Sequence, residues 1–198
     1  MKLGFDIDGI VANMSDALIE AMNSEFGLNY DESIFVHHNL FKNTYVDDPE
    51  LNDKIAQHMR ENVIYNKAAV SILEPYPNVT MALRKLARQH SLHYITGRPS
   101  EQQNTCIEWL RNNNIPFDSV HAVGKAAKGM VGRSLNLDFY IDDELKHLDS
   151  MYKFKNRWRK GLALFRRPWN QKDRVDTSKY FIFYDWEAVI RHLGIHNR

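Results

Sequence analysis

The chain has 198 residues, 43% hydrophobic and 26% charged, which suits one large domain or a core domain carrying one insertion. Lys and Arg number 26 against 25 Asp and Glu, a formal net charge of +1, so a general binder of polymeric nucleic acid, which needs a basic excess on one face, is excluded. No apolar run approaches the ~18 residues of a membrane span, and the single cysteine, Cys106, cannot form an internal disulfide.

The N-terminus enters a charged strand rather than a signal sequence, so a cytoplasmic protein without membrane partners is expected. Leu3, Phe5 and Ile7 mark a short buried strand that delivers Asp6 and Asp8 at its end, followed by Gly9. A helix is predicted from about Ser15, as N-cap, to Phe26, with Leu18, Ile19 and Met22 on one face and Gly27 as its stop. Asp48 and Pro49 read as a cap and first helical position, followed by Leu51, Ile55 and Met59 at helical spacing. No strand pattern lies between Ile7 and Val70. Residues 15–73 therefore read as a helical cap inserted after the first strand, and 1–14 with 74–198 as the core.

After Pro75 and Pro77, a helix spans about Asn78 to Gln89, with Val79, Leu83 and Leu86 inward. Leu92 to Ile95 forms a second strand that runs into Thr96-Gly97-Arg98-Pro99. Ser100 then caps a helix bearing Ile107 and Leu110, and Ser119 to Val123 is a third strand. Gly124 to Leu135 is a loop and helix carrying Lys125 and Lys128. Phe139 to Ile141 is a fourth strand, ending in Asp142 and Asp143, followed by a helix from Glu144 to Phe154. A strand at Leu162 to Phe165, an edge strand at Phe181 to Phe183 and a helix with Trp186, Val189, Ile190 and Leu193 complete the chain. This alternation predicts an α/β fold: a doubly wound, mostly parallel, Rossmann-like sheet covered on both faces.

In such a sheet the strand ends meet along one edge, so Asp6 and Asp8, Thr96 and Gly97, and Asp142 and Asp143 should share one crevice. Carboxylates so close raise one another's pKa unless a cation sits among them, and hard oxygen ligands suit Mg²⁺ beside a phosphate. Held by Asp6 and Asp142, Mg²⁺ would bridge a phosphate oxygen, with Asp143 as a further ligand or a group that orients one. Asp6 could attack phosphorus to form an aspartyl-phosphate, while Asp8 protonates the leaving oxygen and then deprotonates water. Thr96 offers a hydroxyl and Gly97 an open N–H to the phosphoryl oxygens. Lys125 or Lys128 should complete the site, with Lys128 the expected residue.

In this order Asp6-Ile7-Asp8-Gly9, Thr96-Gly97, Lys128 and Asp142-Asp143 resemble the four motifs of haloacid-dehalogenase-like phosphohydrolases. The resemblance implies that Asp6 is the nucleophile, Asp8 the general acid/base, Thr96 the phosphate-holding residue and Lys128 the stabilising lysine. It also implies that Asp142 and Asp143 bind the metal, together with the carbonyl of Asp8. The Asp-Ile-Asp-Gly start, the cap length and the Arg166-Arg167-Pro168-Trp169-Asn170 tail are most similar to the 5′(3′)-deoxyribonucleotidase-related branch. Thr96-Gly97-Arg98-Pro99 departs from the Ser/Thr-rich loop of the better-known nucleotidases. A small phosphorylated substrate follows, with a nucleoside monophosphate first and a sugar phosphate as alternative. From a different class, a receiver-like phosphate-binding protein also uses clustered Asp, Thr and Lys, but without Asp-x-Asp on the first strand or a large insertion after it.

The nine histidines, His37, His38, His90 and His93 among them, read as structural or surface groups rather than a zinc site. Phe26, Phe35, Phe41 and Tyr45 read as the cap's own core, Cys106 as core, and Arg157 to Lys160 as a solvated helix end. Arg166 and Arg167 fall on the edge of the site.

Overall fold

Apolar runs too short for helices become strands buried on both faces: β1 (Lys2–Phe5), β2 (Ser91–Thr96), β4 (Phe139–Asp142) and β5 (Gly161–Phe165). The computed structural model describes residues 1–124, 126–154 and 158–194; Lys125 and Arg157 lie outside the described residues. With β3 (Ser119–Ala122) and β6 (Tyr180–Phe183) at the edges, the strands form a six-stranded sheet of order β3-β2-β1-β4-β5-β6. Every pair is parallel. The strand order reverses between β1 and β4, which opens a crevice beyond their carboxyl ends.

Helices α4 (Val79–Ala87), α5 (Gln103–Asn112) and α8 (Trp186–Leu193) feed one core cluster with Leu3, Phe5, Tyr94, Phe139 and Phe165. Phe5 packs between Tyr94 and Trp186, with ring centroids 5.8 and 5.9 Å away. Such pairs add about 0.5–1.5 kcal/mol each beyond the area they bury. Ile95, Tyr140, Leu162 and Leu164 form a second cluster with Leu148 and Met151 of α7 (Leu145–Phe154), and Val131 of α6 (Lys128–Ser134) packs against it. Cys106 is fully buried, and burial pushes its thiol up to about 11, so it behaves as a small apolar side chain.

No strand of the sheet falls between β1 and β2. That stretch carries α1 (Met14–Phe26), α2 (Pro49–Met59), a π-helical turn at Arg60–Ile64 and α3 (Lys67–Ser71). The outgoing and returning chains run side by side: Asn13 N donates to Glu74 O at 2.8 Å and Tyr76 N to Val11 O at 2.9 Å. Phe35 and Tyr45 are buried and meet edge to face at 6.3 Å, whereas Phe41 stands exposed.

Three local expectations are corrected. Asn13, not Ser15, caps α1, its Oδ1 accepting from Asp16 N, and Ser15 is buried at the second position of the helix with its hydroxyl on Asn13 Oδ1. Leu51 is exposed, because the buried stripe of α2 runs through Ile55, Ala56 and Met59 and its first turn extends past that contact. Ser100 opens a short 3₁₀ turn, Ser100–Gln102, rather than capping α5 with its side chain.

Candidate active site

Register brings the acidic strand ends together. Phe5 of β1 lies opposite Ile141 of β4, and Asp6 N donates to Ile141 O at 3.1 Å, so Asp6 and Asp142 emerge side by side. After Asp6 the chain folds back on itself, with Val11 N and Ala12 N both donating to Ile7 O at 2.8 Å. Gly9 sits in this turn at φ +74°, and a Cβ there would lie 2.7 Å from Asp143 Cγ. Only glycine meets both demands.

Oxygen atoms of Asp6, Asp142 and Asp143 lie within 4.8 Å of one another, and all three residues are buried; among the described residues this is the one group fit to hold a metal ion. Lys128, at the first turn of α6 and 1% exposed, places Nζ 2.9 Å from Asp6 Oδ2 and 2.9 Å from Asp142 Oδ2. Burial would push this ammonium down, but Asp142 and Asp6 together hold it above its ordinary value. Its charge is not shared equally. Asp142 also accepts from Tyr140 Oη at 2.7 Å and Glu144 N at 2.9 Å, and despite burial it stays below the usual carboxylate range. Burial outweighs Lys128 at Asp6 and, joined by Asp142 and Asp8, lifts its carboxyl well above that range. Asp143 is lifted too, by burial and then by Asp142, Asp6 and Glu144.

Three buried carboxylates against one ammonium leave a formal charge of −2. The donors are hard oxygens, and among the described residues Asp143 forms no ion pair with a lysine or arginine. This set fits one divalent cation of the Mg²⁺ type, which takes one or two carboxylates and keeps positions for water and phosphate.

The carboxylates open into a cavity of about 510 Å³. Asp6, Asp8, Gly97 and Lys128 line its floor, with Asp143 beside them. Thr96 and Asp142 do not line it: Thr96 is fully buried, its Oγ1 accepting from Arg98 N at 3.2 Å. The opposite wall comes from the stretch between β1 and β2, through Met14, Leu18, Phe35, Leu40, Ile64 and Tyr65. His37 and His38 also line the cavity, and His38 Nε2 stands 3.3 Å from Glu144 Oε2.

Several neighbours of the site have roles that the sequence did not assign. Arg98, 4% exposed, grips both oxygens of Asp8: Nε donates to Oδ2 at 2.8 Å and Nη2 contacts Oδ1. Burial alone would lower this guanidinium, and the paired Asp8 more than offsets it. Tyr140 reads as another apolar strand residue, yet its hydroxyl serves Asp142. Arg167 Nε donates to Gly9 O at 2.6 Å, and Trp169 Nε1 to Asp143 Oδ2 at 2.7 Å. The signals available were an arginine directly after a polar strand end and the Arg-Pro-Trp-Asn run after β5.

Residues 1–178 match the family model described as 5′ nucleotidase, deoxy (Pyrimidine), cytosolic type C protein. A candidate nucleotidase of Halalkalibacterium halodurans is 25% identical over 170 residues, 86% of this chain and 82% of that protein. A nucleotidase of Clostridium acetobutylicum is 25% identical over 195 residues, 96% of this chain and 91% of its own. Among solved structures, a haloacid dehalogenase-like family hydrolase of Streptococcus pneumoniae superposes with a TM-score of 0.63 at 15% identity, covering 98% of each chain, and shares the fold.

Proposed function

Because this chain belongs to the 5′ nucleotidase, deoxy (pyrimidine), cytosolic type C family of phosphomonoester hydrolases, we propose that it is a Mg²⁺-dependent nucleotidase acting through an aspartyl-phosphate on Asp6. The observation that carries this reading is the buried trio Asp6, Asp142 and Asp143 with Lys128 at the floor of a cavity large enough for a nucleoside monophosphate.

Asp6 attacks the phosphorus in line, and the ester oxygen leaves with a proton from Asp8. Asp8 then takes a proton from water, which displaces phosphate from Asp6 and regenerates the enzyme. Arg98 grips both oxygens of Asp8 in this conformation, so substrate binding must release one of them for proton transfer. Lys128 and the N–H of Gly97 offset charge on the phosphoryl oxygens, and Thr96 supports that loop from behind. When bound, the cation supplies Lewis-acid polarisation of a phosphoryl oxygen. Asp6, Asp143 and the carbonyl of Asp8 would hold it. Asp142 serves better as the anchor of Lys128, since Tyr140, Lys128 and Glu144 N already occupy its oxygens. On this reading Asp143 rather than Asp142 partners Asp6 at the cation.

We take residues 15–73 as the cap. Its apolar wall suits a nucleobase, and a pyrimidine deoxyribonucleotide agrees with the family. A sugar phosphate remains the second reading, favoured by the polar mouth of His38, Glu144 and His147, which can bond hydroxyls. The test is hydrolysis of a panel of 5′- and 3′-nucleotides, ribo and deoxy, and of sugar phosphates, with Mg²⁺ or EDTA. The expected result is Mg²⁺-dependent turnover, highest on deoxyribonucleoside monophosphates and absent in Asp6→Asn with the fold intact. Full activity of that variant would discard the covalent route.

A further inference from the structure

The turn after β5 reaches back to two of the loops that build the acidic cage. It is internally braced: Arg167 N donates to Asn170 Oδ1 at 3.0 Å, Asn170 N returns to Arg167 O at 3.1 Å, and Pro168 lies between. From this rigid turn Asn170 Nδ2 donates to Asp143 O at 2.8 Å and to Phe165 O at 2.9 Å, tying the chain beyond β4 to the end of β5. Trp169 Nε1 donates to Asp143 Oδ2 at 2.7 Å. Arg167 Nε holds Gly9 O, with its guanidinium stacked 3.5 Å over the Tyr76 ring.

Asp143 needs such a hold more than its neighbours do. It is buried, burial and nearby carboxylates oppose its charge, and no lysine or arginine forms an ion pair with it among the described residues. Asp6 and Asp142 are located by Lys128, and Asp8 by Arg98. For Asp143 the locating groups are the Trp169 indole, the Asn170 amide and the flat face of Gly9. The indole N–H fixes Oδ2 and with it the plane of the carboxylate.

We propose that Trp169 is a positioning residue that fixes Asp143 in its ligating orientation before the cation arrives, so the turn after β5 sets metal affinity. This rests on Asp143 being a ligand, as proposed above. Orienting partners of metal ligands typically contribute 10–100-fold in affinity, through the geometry they impose.

The experiment uses Trp169→Phe, which keeps an aromatic ring and removes the N–H donor together with part of the indole's volume; the melting measurement reads the packing loss separately. Binding of Mn²⁺ is measured without substrate, from the free-ion electron paramagnetic resonance signal, and melting is followed in EDTA. The expected result is an Mn²⁺ dissociation constant raised about 10–100-fold with the EDTA melting temperature nearly unchanged. A lower melting temperature with an unchanged dissociation constant makes the indole a stability element and overturns the proposal. If wild type binds no Mn²⁺, the metal reading fails first. A second measurement needs no variant. In ¹⁵N-tryptophan-labelled wild type, the Trp169 indole N–H resonance should move on Mg²⁺ addition, while that of Trp109, bonded to Leu73 O, stays put. A Trp169 resonance that does not respond to saturating Mg²⁺ overturns the proposal as well.

Discussion

Replacing Lys128 with methionine removes the one buried ammonium among three buried carboxylates while keeping most of the side chain's volume. Its Nζ lies 2.9 Å from both Asp6 and Asp142, so the formal charge of this buried group goes from −2 to −3. Breaking a buried ion pair from one side costs about 3–5 kcal/mol. For a chain of this length 1 kcal/mol moves the melting temperature by roughly 2–4 °C, so the metal-free variant should melt ~6–20 °C below wild type at neutral pH. The deficit should depend on pH in a definite direction. Burial already lifts the Asp6 carboxyl well above its ordinary range, and Lys128 opposes that rise; without the lysine it climbs further. An acid whose folded-state pKa is raised contributes its stability at low pH and loses it as pH climbs through that value. The gap between variant and wild type should therefore be small near pH ~5 and widen toward pH ~8. Added Mg²⁺ should recover part of the melting temperature, because it supplies the missing positive charge. The assay is differential scanning fluorimetry in EDTA and in Mg²⁺ across that range. A variant that melts with wild type at neutral pH, or whose deficit ignores pH, would refute the charge-balance argument.

Three further outcomes are expected. Gly9→Ala places a methyl against Asp143 and forces alanine to φ +74°, which costs about 1–2 kcal/mol. It should also lower kcat at saturating Mg²⁺ by roughly 100-fold by displacing Asp143, read in steady-state hydrolysis. Tyr140→Phe removes the donor 2.7 Å from Asp142 Oδ2, and urea unfolding should show a loss of about 1.5–3 kcal/mol, typical of a buried hydrogen bond to a charged group. His147 is pushed down from 6.5 to about 4, chiefly by burial, so it contributes stability above its unfolded value that is lost as pH falls from 6.5 toward 4. His147→Gln should flatten that acid arm of the melting curve, and an unchanged arm would assign it to other groups.

The α/β architecture was readable because parallel strands buried on both faces appear as short apolar runs, and polar ends on such runs stand out. Asp6, Asp8, Asp142 and Asp143 could be named from those ends, whereas place between strands offered both Lys125 and Lys128. Thr96 shows the limit of this reasoning. A strand-end threonine can face the crevice or turn behind it, and here its hydroxyl accepts from the backbone N–H of Arg98. Capping chemistry could not separate Asn13 from Ser15, since both are good caps; Asn13 N is drawn to Glu74 O, far along the chain.

The linear order of residues was enough to establish the layered parallel sheet, the helical stretch between β1 and β2 and the inventory of acids and cations near its carboxyl edge. Hydrophobic period and strand-end chemistry are local properties, carried by neighbours in the chain. Which donor serves which acceptor was settled by folding: Arg98 with Asp8 across 90 positions, Trp169 with Asp143 across 26 and Arg167 with the Gly9 carbonyl across 158. These partners are chosen by register and loop closure in three dimensions, and a hydrogen bond of under 3 Å leaves no trace in the spacing of residues so far apart.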